Sequence, residues 1–270
     1  MTNMKRMLVL SIFLLSIGSV LICDTIEQIS DQKTQRLEAS LTYEALSPRD
    51  IYPPWKSLFL NYFIKAKDNA TLFFSLGGFS REEGESLLGI AGAYKDWGKR
   101  FYTYTALAAG SDSVYLPKIR FDNDFNLKLG TKKNIVLTAG FTYLKYHNVH
   151  KDLILSSGVT VYLGRWIATY RIFMNRSDPG NITSYSHLFD TAYGMEGGQW
   201  TNVTLSFGKQ AYLATYLASP EEVNRRSLYI VLKHRRWIGK TFGLLGDISY
   251  FKLEDGYKKI GITLGIFKEF

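Results

Sequence analysis

Apolar and polar residues alternate along nearly the whole chain after residue 36. The stretch 118–129, KIRFDNDFNLKL, carries Ile119, Phe121, Phe125, Leu127 and Leu129 on one parity and Arg120, Asp122, Asp124, Asn126 and Lys128 on the other. Residues two apart on a β-strand point to the same side, so this stretch is predicted to be a strand with one apolar and one polar face.

The same alternation predicts fourteen strands. They span residues 36–46, 55–67, 69–80, 85–96, 100–111, 118–130, 134–146, 151–163, 165–176, 182–195, 199–208, 225–235, 241–252 and 257–270. No helical period competes with this pattern, which favours an antiparallel meander. An open sheet of fourteen strands would have two unpaired edge strands, and closure into a barrel removes these edges. We therefore predict an all-β, transmembrane, antiparallel up-and-down β-barrel over residues 36–270; merging the weakest segments gives twelve strands as the alternative.

The connections and tryptophans favour an outer-membrane barrel. Short polar turns alternate with longer connections such as 47–54 and 209–224, and bacterial outer-membrane barrels have short periplasmic turns and longer outer loops. Trp97, Trp166 and Trp237 fall at the short turns, where we predict a girdle at the membrane surface. A soluble periplasmic β-protein is one alternative.

The N-terminus predicts export. Lys5 and Arg6 precede the apolar run LVLSIFLLSIGSVLI, which has the length of a secretory signal. We predict a cleaved signal peptide over residues 1–23, a periplasmic tail over 24–35, and a bacterial outer-membrane location. Cys23 is the only cysteine, so the chain has no internal disulfide; lipidation of Cys23 remains an alternative.

The parity argument also predicts the charged residues that line the lumen. The acids are Glu38, Glu44, Asp122, Asp124, Asp190 and Asp247, and the bases are Lys65, Lys95, Arg120, Lys128, Arg165, Arg171, Lys233 and Lys259. Such mixed signs suit either a narrow lumen with weak anion preference or a closed barrel with paired charges. We therefore predict a small passive channel or a structural or surface component of the envelope.

Asp122 and Asp124 raise the question of a catalytic or metal site. Two carboxylates about 6–7 Å apart on one face are able to hold a hard cation. Arg120 and Lys128 share that face, however, so we predict internal ion pairs, with no metal and no cofactor. No GxSxG, HExxH, CxxC or phosphate-loop motif is present. We predict that the protein is not an enzyme; an outer-membrane enzyme acting on lipid or lipopolysaccharide is the alternative.

The formal charge is +9 for the whole chain, and removing Lys5 and Arg6 leaves +7. The basic residues are scattered along the sequence, which does not suit nucleic-acid binding by an exported chain. Outer-membrane lipid and lipopolysaccharide are the predicted partners, and we predict a monomer.

The C-terminal residues resemble those of known barrels. Ile262, Leu264 and Ile266 alternate before the terminal Phe270, which is similar to the assembly signal of bacterial outer-membrane barrels and implies the barrel-assembly machinery as a partner; Lys268 departs from that pattern. The segments LTYEALSP, YLPKIRFD and TFGLLGDISYFKLEDGYKKIGITLGIFKEF resemble the YaiO-type outer-membrane β-barrel family. The resemblance implies a barrel inserted in the outer membrane and offers no catalytic residues to carry over.

Overall fold

The computed structural model describes residues 34–209 and 225–270, which form fourteen strands. These are β1 (Gln35–Ser47), β2 (Trp55–Lys67), β3 (Ala70–Arg81), β4 (Gly84–Asp96), β5 (Phe101–Gly110), β6 (Pro117–Leu129), β7 (Ile135–Tyr146), β8 (Lys151–Leu163), β9 (Trp166–Asp178), β10 (Ile182–Met195), β11 (Gln199–Lys209), β12 (Arg226–Trp237), β13 (Phe242–Leu253) and β14 (Lys258–Glu269). The predicted fourteen strands are confirmed, and the twelve-strand alternative is wrong. In the described part of the chain, no helix is long and apolar enough to cross a membrane.

The strands close into a single barrel. Each pairs antiparallel with its sequence neighbours, and β1 pairs with β14 from Arg36↔Glu269 to Ser47↔Lys258. Closure leaves none of the fourteen described strands with an edge exposed for pairing with another chain. Backbone hydrogen bonds join Thr34 N to Phe270 O and Phe270 N to Gln35 O, so the described N-terminal residues and the C-terminus lie together.

The two ends of the barrel differ. The terminal end carries both of these chain ends and tight connections such as residues 68–69 and 164–165, and Gly164 supplies the positive φ of 66° that the latter turn needs. The loop end carries the longer connections 48–54 and 111–116, although the connection at 82–83 is also short. The predicted signal peptide, most of the predicted tail and residues 210–224 of the long loop lie outside the described residues.

The two faces of the wall follow the predicted alternation. On β6, Ile119 and Phe125 are 43% and 45% exposed on the outer face, whereas Arg120, Asp122 and Asp124 are buried on the inner face. The outer face is rich in leucine, isoleucine and aromatic side chains, as a lipid-facing surface requires. Residues 118–129 are therefore part of one strand of the barrel wall, with an apolar outer face and a polar inner face.

Side chains pack inside the barrel in two apolar clusters. A loop-end cluster contains Leu46, Trp55, Leu144, Tyr146, Ile154, Phe173, Leu188, Tyr229, Val231, Phe251, Leu253 and Tyr257. A second cluster follows β2 to β5 and extends across the terminal end, where it includes Phe63, Phe73, Tyr94, Tyr162, Trp200 and Phe267. Charged and hydroxyl side chains occupy the inner face between these clusters.

Candidate functional site: the charged belt

Most of the charged residues that the sequence singled out lie on the inner face. Those buried there are Glu38, Arg120, Asp122, Asp124, Lys128, Arg171, Asp190, Lys233, Asp247 and Lys259. The Glu44 carboxylate also lies inside, 2.7 Å from Nζ of Lys259. We call this set the charged belt; it draws on β1, β6, β9, β10, β12, β13 and β14. Burial of so many charges requires partners for them inside the barrel.

Three predicted inner cations do not belong to the charged belt. Lys95 is on the outer face of β4, because its neighbours Tyr94 and Asp96 are the buried residues. Arg165 is exposed in the turn before β9 rather than in a strand. The predictions for Lys95 and Arg165 are wrong, since the assumed parity of β4 was shifted by one residue and β9 begins one residue later. Lys65 keeps the inner parity, but it lies at the terminal end of β2 with a side chain that is 39% exposed.

The tryptophans at the terminal-end turns do not share one orientation. Trp97 and Trp166 are 65% and 51% exposed on the outside; their place in a membrane girdle stays a prediction. Trp237 is buried on the inner face, on the same parity as Arg235, and its Nε1 donates to Glu269 Oε2 at 3.2 Å. The prediction for Trp237 is wrong because this residue still belongs to β12, whose odd positions point inward.

The carboxylates of Asp122 and Asp124 bind arginines. Arg120 donates from Nε to Asp122 Oδ2 at 2.7 Å and from Nη2 to Asp122 Oδ1 at 2.8 Å, and Thr142 Oγ1 donates to the same oxygen at 2.6 Å. Arg171 donates from Nη1 to Asp124 Oδ2 at 2.9 Å and from Nη2 to Asp124 Oδ1. Each aspartate therefore has its own bidentate guanidinium partner. This arrangement neutralises the carboxylate charge and occupies both carboxylate oxygens.

Sequence reasoning missed several other charged residues of the inner face. The missed inner residues are Arg36, Asp96, Asp152, Arg235 and Glu269, all buried. The alternation along each strand already indicated these positions. Each missed residue lies two positions from a predicted or apolar inner residue, such as Glu38, Tyr94 or Lys233, and therefore points to the same face. Asp96 is the partner of Lys128, whose Nζ lies 3.2 Å from its Oδ1.

At the terminal end, two arginines share one glutamate. Nε of Arg36 lies 2.8 Å, and Nη2 of Arg235 2.6 Å, from Oε1 of Glu38. Glu196, in the β10–β11 turn, accepts from Trp200 Nε1 at 3.3 Å. Burial raises the pKa of Glu196 to about 7, although the positive charges of Arg36 and Arg235 act in the opposite direction.

At the loop end, Arg81 is held between aromatic rings. Its guanidinium carbon lies 4.2 Å from the ring centroid of Trp55 and 4.1 Å from that of Tyr115. The Tyr257 ring then packs edge-on against Trp55, with centroids 5.4 Å apart. These contacts form a cation–π stack from the β13–β14 connection to the β5–β6 connection. We call Arg81, Trp55, Tyr115 and Tyr257 the mouth stack.

Two buried aspartates differ in their partners. Asp190 accepts hydrogen bonds from Asn202 Nδ2 at 2.8 and 3.0 Å and from Thr204 Oγ1 at 2.5 Å. Asp247 lies opposite Lys233 in the β12–β13 register, yet neither of its carboxylate oxygens accepts a hydrogen bond within the described structure. The belt thus contains both a fully paired carboxylate and one that has only a charge nearby.

Comparison with known proteins agrees with this architecture. Residues 34–213 match the family model described as the YaiO membrane beta barrel domain. The match covers more than half of the chain and includes β1 to β11.

Solved outer-membrane barrels have a similar fold. The anion-selective porin from Comamonas acidovorans aligns over 88% of this chain and 99% of its own, with a TM-score of 0.50 and 10% identity. The outer membrane protein Omp33 from Acinetobacter baumannii aligns over 88% and 99%, with a TM-score of 0.53 and 10% identity. The P. putida toluene transporter TodX aligns over 88% and 90%, with a TM-score of 0.53 and 10% identity. At this identity the likeness concerns the fold alone.

Proposed function

The chain belongs to the YaiO membrane beta barrel family and has the fold of outer-membrane barrels. From this premise we propose that it is a structural or surface component of the envelope whose lumen is closed at rest. The observation that carries the proposal is the pairing of the inner charges with one another. Arg120 with Asp122 and Arg171 with Asp124 are examples. A conducting pore needs its wall charges for the passing solute, whereas paired buried charges satisfy only each other.

The balance of inner charges supports this proposal. Among the described residues, the inner acids are Glu38, Glu44, Asp96, Asp122, Asp124, Asp152, Asp190, Asp247 and Glu269, and the inner bases are Arg36, Arg81, Arg120, Lys128, Arg171, Lys233, Arg235 and Lys259. The corrected positions remove the excess of bases that suggested a weak anion preference. A wall with this balance does not select one sign of ion.

Planar-bilayer recording tests the proposal. Purified, folded protein is expected to give no steady current between about −100 and +100 mV; at either limit, one charge that crosses the membrane gains or loses about 2.3 kcal/mol. The mobility shift of the unheated protein on a gel would serve as the control for folding. Reproducible current steps from folded wild-type protein would rule out a lumen that is closed at rest.

A narrow channel is the second candidate, and the inner face of β13, β14 and β1 favours it. Near the middle of these strands the inner face carries small residues, namely Ser249, Thr263, Ser40 and glycines 261 and 265, between larger side chains such as Leu245, Asp247 and Glu44. A row of small polar residues along the inner wall is suited to a narrow pathway for water or small solutes. Small, ohmic current steps that do not depend on ion sign would favour this function.

We do not propose catalysis. His187 and His234 lie on strand positions of outer parity, with Nδ1 2.9 Å from the hydroxyl oxygens of Tyr170 and Thr201 respectively. A nucleophile–histidine arrangement needs a base in a shaped, water-excluding site. Release of fatty acid from phospholipid or lipopolysaccharide during incubation with the folded protein would restore the enzyme alternative.

A further inference from the structure

The outer wall is interrupted by a groove over β14, β1, β2, β3 and β4. Its volume is about 1030 Å³, and its apolar lining includes Leu41, Leu58, Gly78, Leu87, Ile262 and Leu264. This volume is at the upper end of the roughly 300–1,000 Å³ of small-molecule sites. The groove faces outward, because its leucines belong to the exposed set of the wall.

A glycine interrupts the apolar row that lines the groove. The strand register places Leu264, Leu41, Leu58, Gly78 and Leu87 in one row across five strands. Gly78 leaves a gap in this row of leucines. The Cα atoms of Leu58 and Leu87 lie two strand spacings apart, about 10 Å, so one hydrocarbon chain fits over Gly78 between the two leucine side chains.

The next row toward the loop end forms a polar rim. Tyr43, Lys56, Ser80 and Glu85 follow one another across β1 to β4 in the same register, and all four have exposed side chains. The rim therefore presents one cation and one anion on either side of a hydroxyl. A ligand that fits the whole site has an apolar chain below the rim and a headgroup above it with both a phosphate and hydroxyl groups.

We propose that this groove holds an acyl chain of lipopolysaccharide, with a phosphate of its glycolipid headgroup at Lys56 and sugar hydroxyls at Ser80 and Glu85. The ammonium of Lys56 attracts phosphate as a point charge, and the carboxylate of Glu85 accepts hydrogen bonds from hydroxyl groups. Phosphatidylethanolamine also offers a phosphate and an ammonium to these two charges, but the rim lies toward the loop end. The longer loops of outer-membrane barrels face outward, which places the rim in the leaflet that lipopolysaccharide forms. A second copy of the chain fits poorly, because a twofold contact brings the same concave surface from both subunits and leaves a void between them.

The proposal predicts that filling the gap displaces the lipid. Gly78→Leu places a side chain where the acyl chain lies, and an added Cβ at Gly78 would meet Leu87 Cδ2 at 3.7 Å, an ordinary contact. Gly246→Leu is the matched control: Gly246 is also an outer-face strand glycine, and the nearest atom to its added Cβ is Thr263 O at 4.0 Å. Both variants are expected to fold.

The experiment measures lipid retention by native mass spectrometry. Folded barrels would first be placed in nanodiscs of phosphatidylethanolamine and phosphatidylglycerol that also contain lipopolysaccharide. They would then be released into detergent, and the mass of each barrel with its bound lipid would be measured. Wild type and Gly246→Leu should retain one lipopolysaccharide per barrel. Gly78→Leu and Lys56→Glu should each retain about tenfold less, which corresponds to about 1.4 kcal/mol.

Three results would overturn the proposal. The first is equal retention by Gly78→Leu and Gly246→Leu in samples that both show the gel shift of a folded barrel. The second is retention of phospholipid in place of lipopolysaccharide at the same stoichiometry. The third is a dimer that Gly78→Leu dissociates, because a second copy would then occupy the groove.

Discussion

Arg171 on β9 binds Asp124 on β6 across the two intervening strands. Arg171 Nη1 lies 2.9 Å from Asp124 Oδ2, and the side chain passes Gly140 of β7 and Gly158 of β8. A Cβ at Gly140 would overlap Asp124 Oδ1 and lie 2.6 Å from Arg171 Nη2, and one at Gly158 would lie 3.1 Å from Arg171 Cγ. The glycines thus provide the space in which strands that are not neighbours are joined by a charge pair.

Gly140→Val is therefore expected to break this pair. The valine side chain would displace the arginine and leave Asp124 as a buried charge without its partner, which costs about 3–5 kcal/mol in comparable cases. Urea unfolding in lipid vesicles, followed by tryptophan fluorescence, measures the loss.

Gly246→Val is the matched control for the better strand propensity of valine, since the outer face at Gly246 is open. The Asp124→Leu/Arg171→Met double variant should lose much less stability than Gly140→Val, because it removes both charges and leaves neither buried without a partner. If Gly140→Val and Gly246→Val unfold at the same urea concentration, the pair contributes nothing to stability.

The wall was predictable from sequence because its signal is local. A period of two repeats within every strand, and residues such as Phe125 and Asp124 reveal their faces without knowledge of any partner strand. One error arose where two polar residues adjoin at a strand end. Lys95 and Asp96 are both charged and precede a turn, so only the register with β3 and β5 decides which one points inward.

The contacts inside the barrel were beyond the sequence because they are not local. The Arg235–Glu38 pair joins residues 197 positions apart, and no spacing rule links β12 to β1. The position of Arg81 gave no hint of its stack either, since Glu82 and Glu83 follow it in a polar run. Parity therefore predicts which residues point inward, and the barrel's closure then determines which of them meet.

Asp190 and Asp247 should respond differently to the same substitution. Asp190→Asn replaces an acceptor that Asn202 and Thr204 both use, and it should destabilise the barrel by about 1–3 kcal/mol because a buried donor loses its partner. Asp247 accepts no hydrogen bond within the described residues and only faces Lys233 across the register, so Asp247→Asn should cost less stability than Asp190→Asn. Urea midpoints at equal slope measure both, and a larger loss at Asp247 would contradict this ranking.

Glu196 should make stability depend on pH. Its pKa is raised from 4.5 to about 7 by burial, so the folded state holds a proton that the unfolded chain has lost above pH 4.5. The contribution of this group is therefore most favourable below pH 4.5 and decreases as the pH rises toward 7. The rise in pKa corresponds to an upper limit of about 3–4 kcal/mol. Glu196→Gln should be less sensitive than wild type between pH 5 and pH 8 in urea unfolding; identical pH profiles would contradict the assignment.

The tryptophans should differ in their access to lipid. Trp97 and Trp166 are exposed on the outer side, whereas Trp237 is buried against Phe267 inside the barrel. Lipids brominated near the headgroup quench only indole rings that they touch. Trp97→Phe and Trp166→Phe should each reduce the quenched fraction of the emission, while Trp237→Phe should leave the quenched intensity nearly unchanged. Strong quenching lost with Trp237→Phe would place that ring outside the wall.

Arg81→Ala is expected to weaken the closure at the loop end. The substitution removes the guanidinium between Trp55 and Tyr115, whose stacking contacts are each worth about 0.5–2 kcal/mol, and it leaves a space where water is able to enter. Planar-bilayer recordings should show brief current steps for Arg81→Ala and none for wild type. Arg176→Ala is the matched control, because Arg176 is an exposed outer-face arginine near the loop end of β9. Equal recordings from the two variants would mean that the mouth stack does not close the barrel; steps confined to Arg81→Ala would assign that role to it.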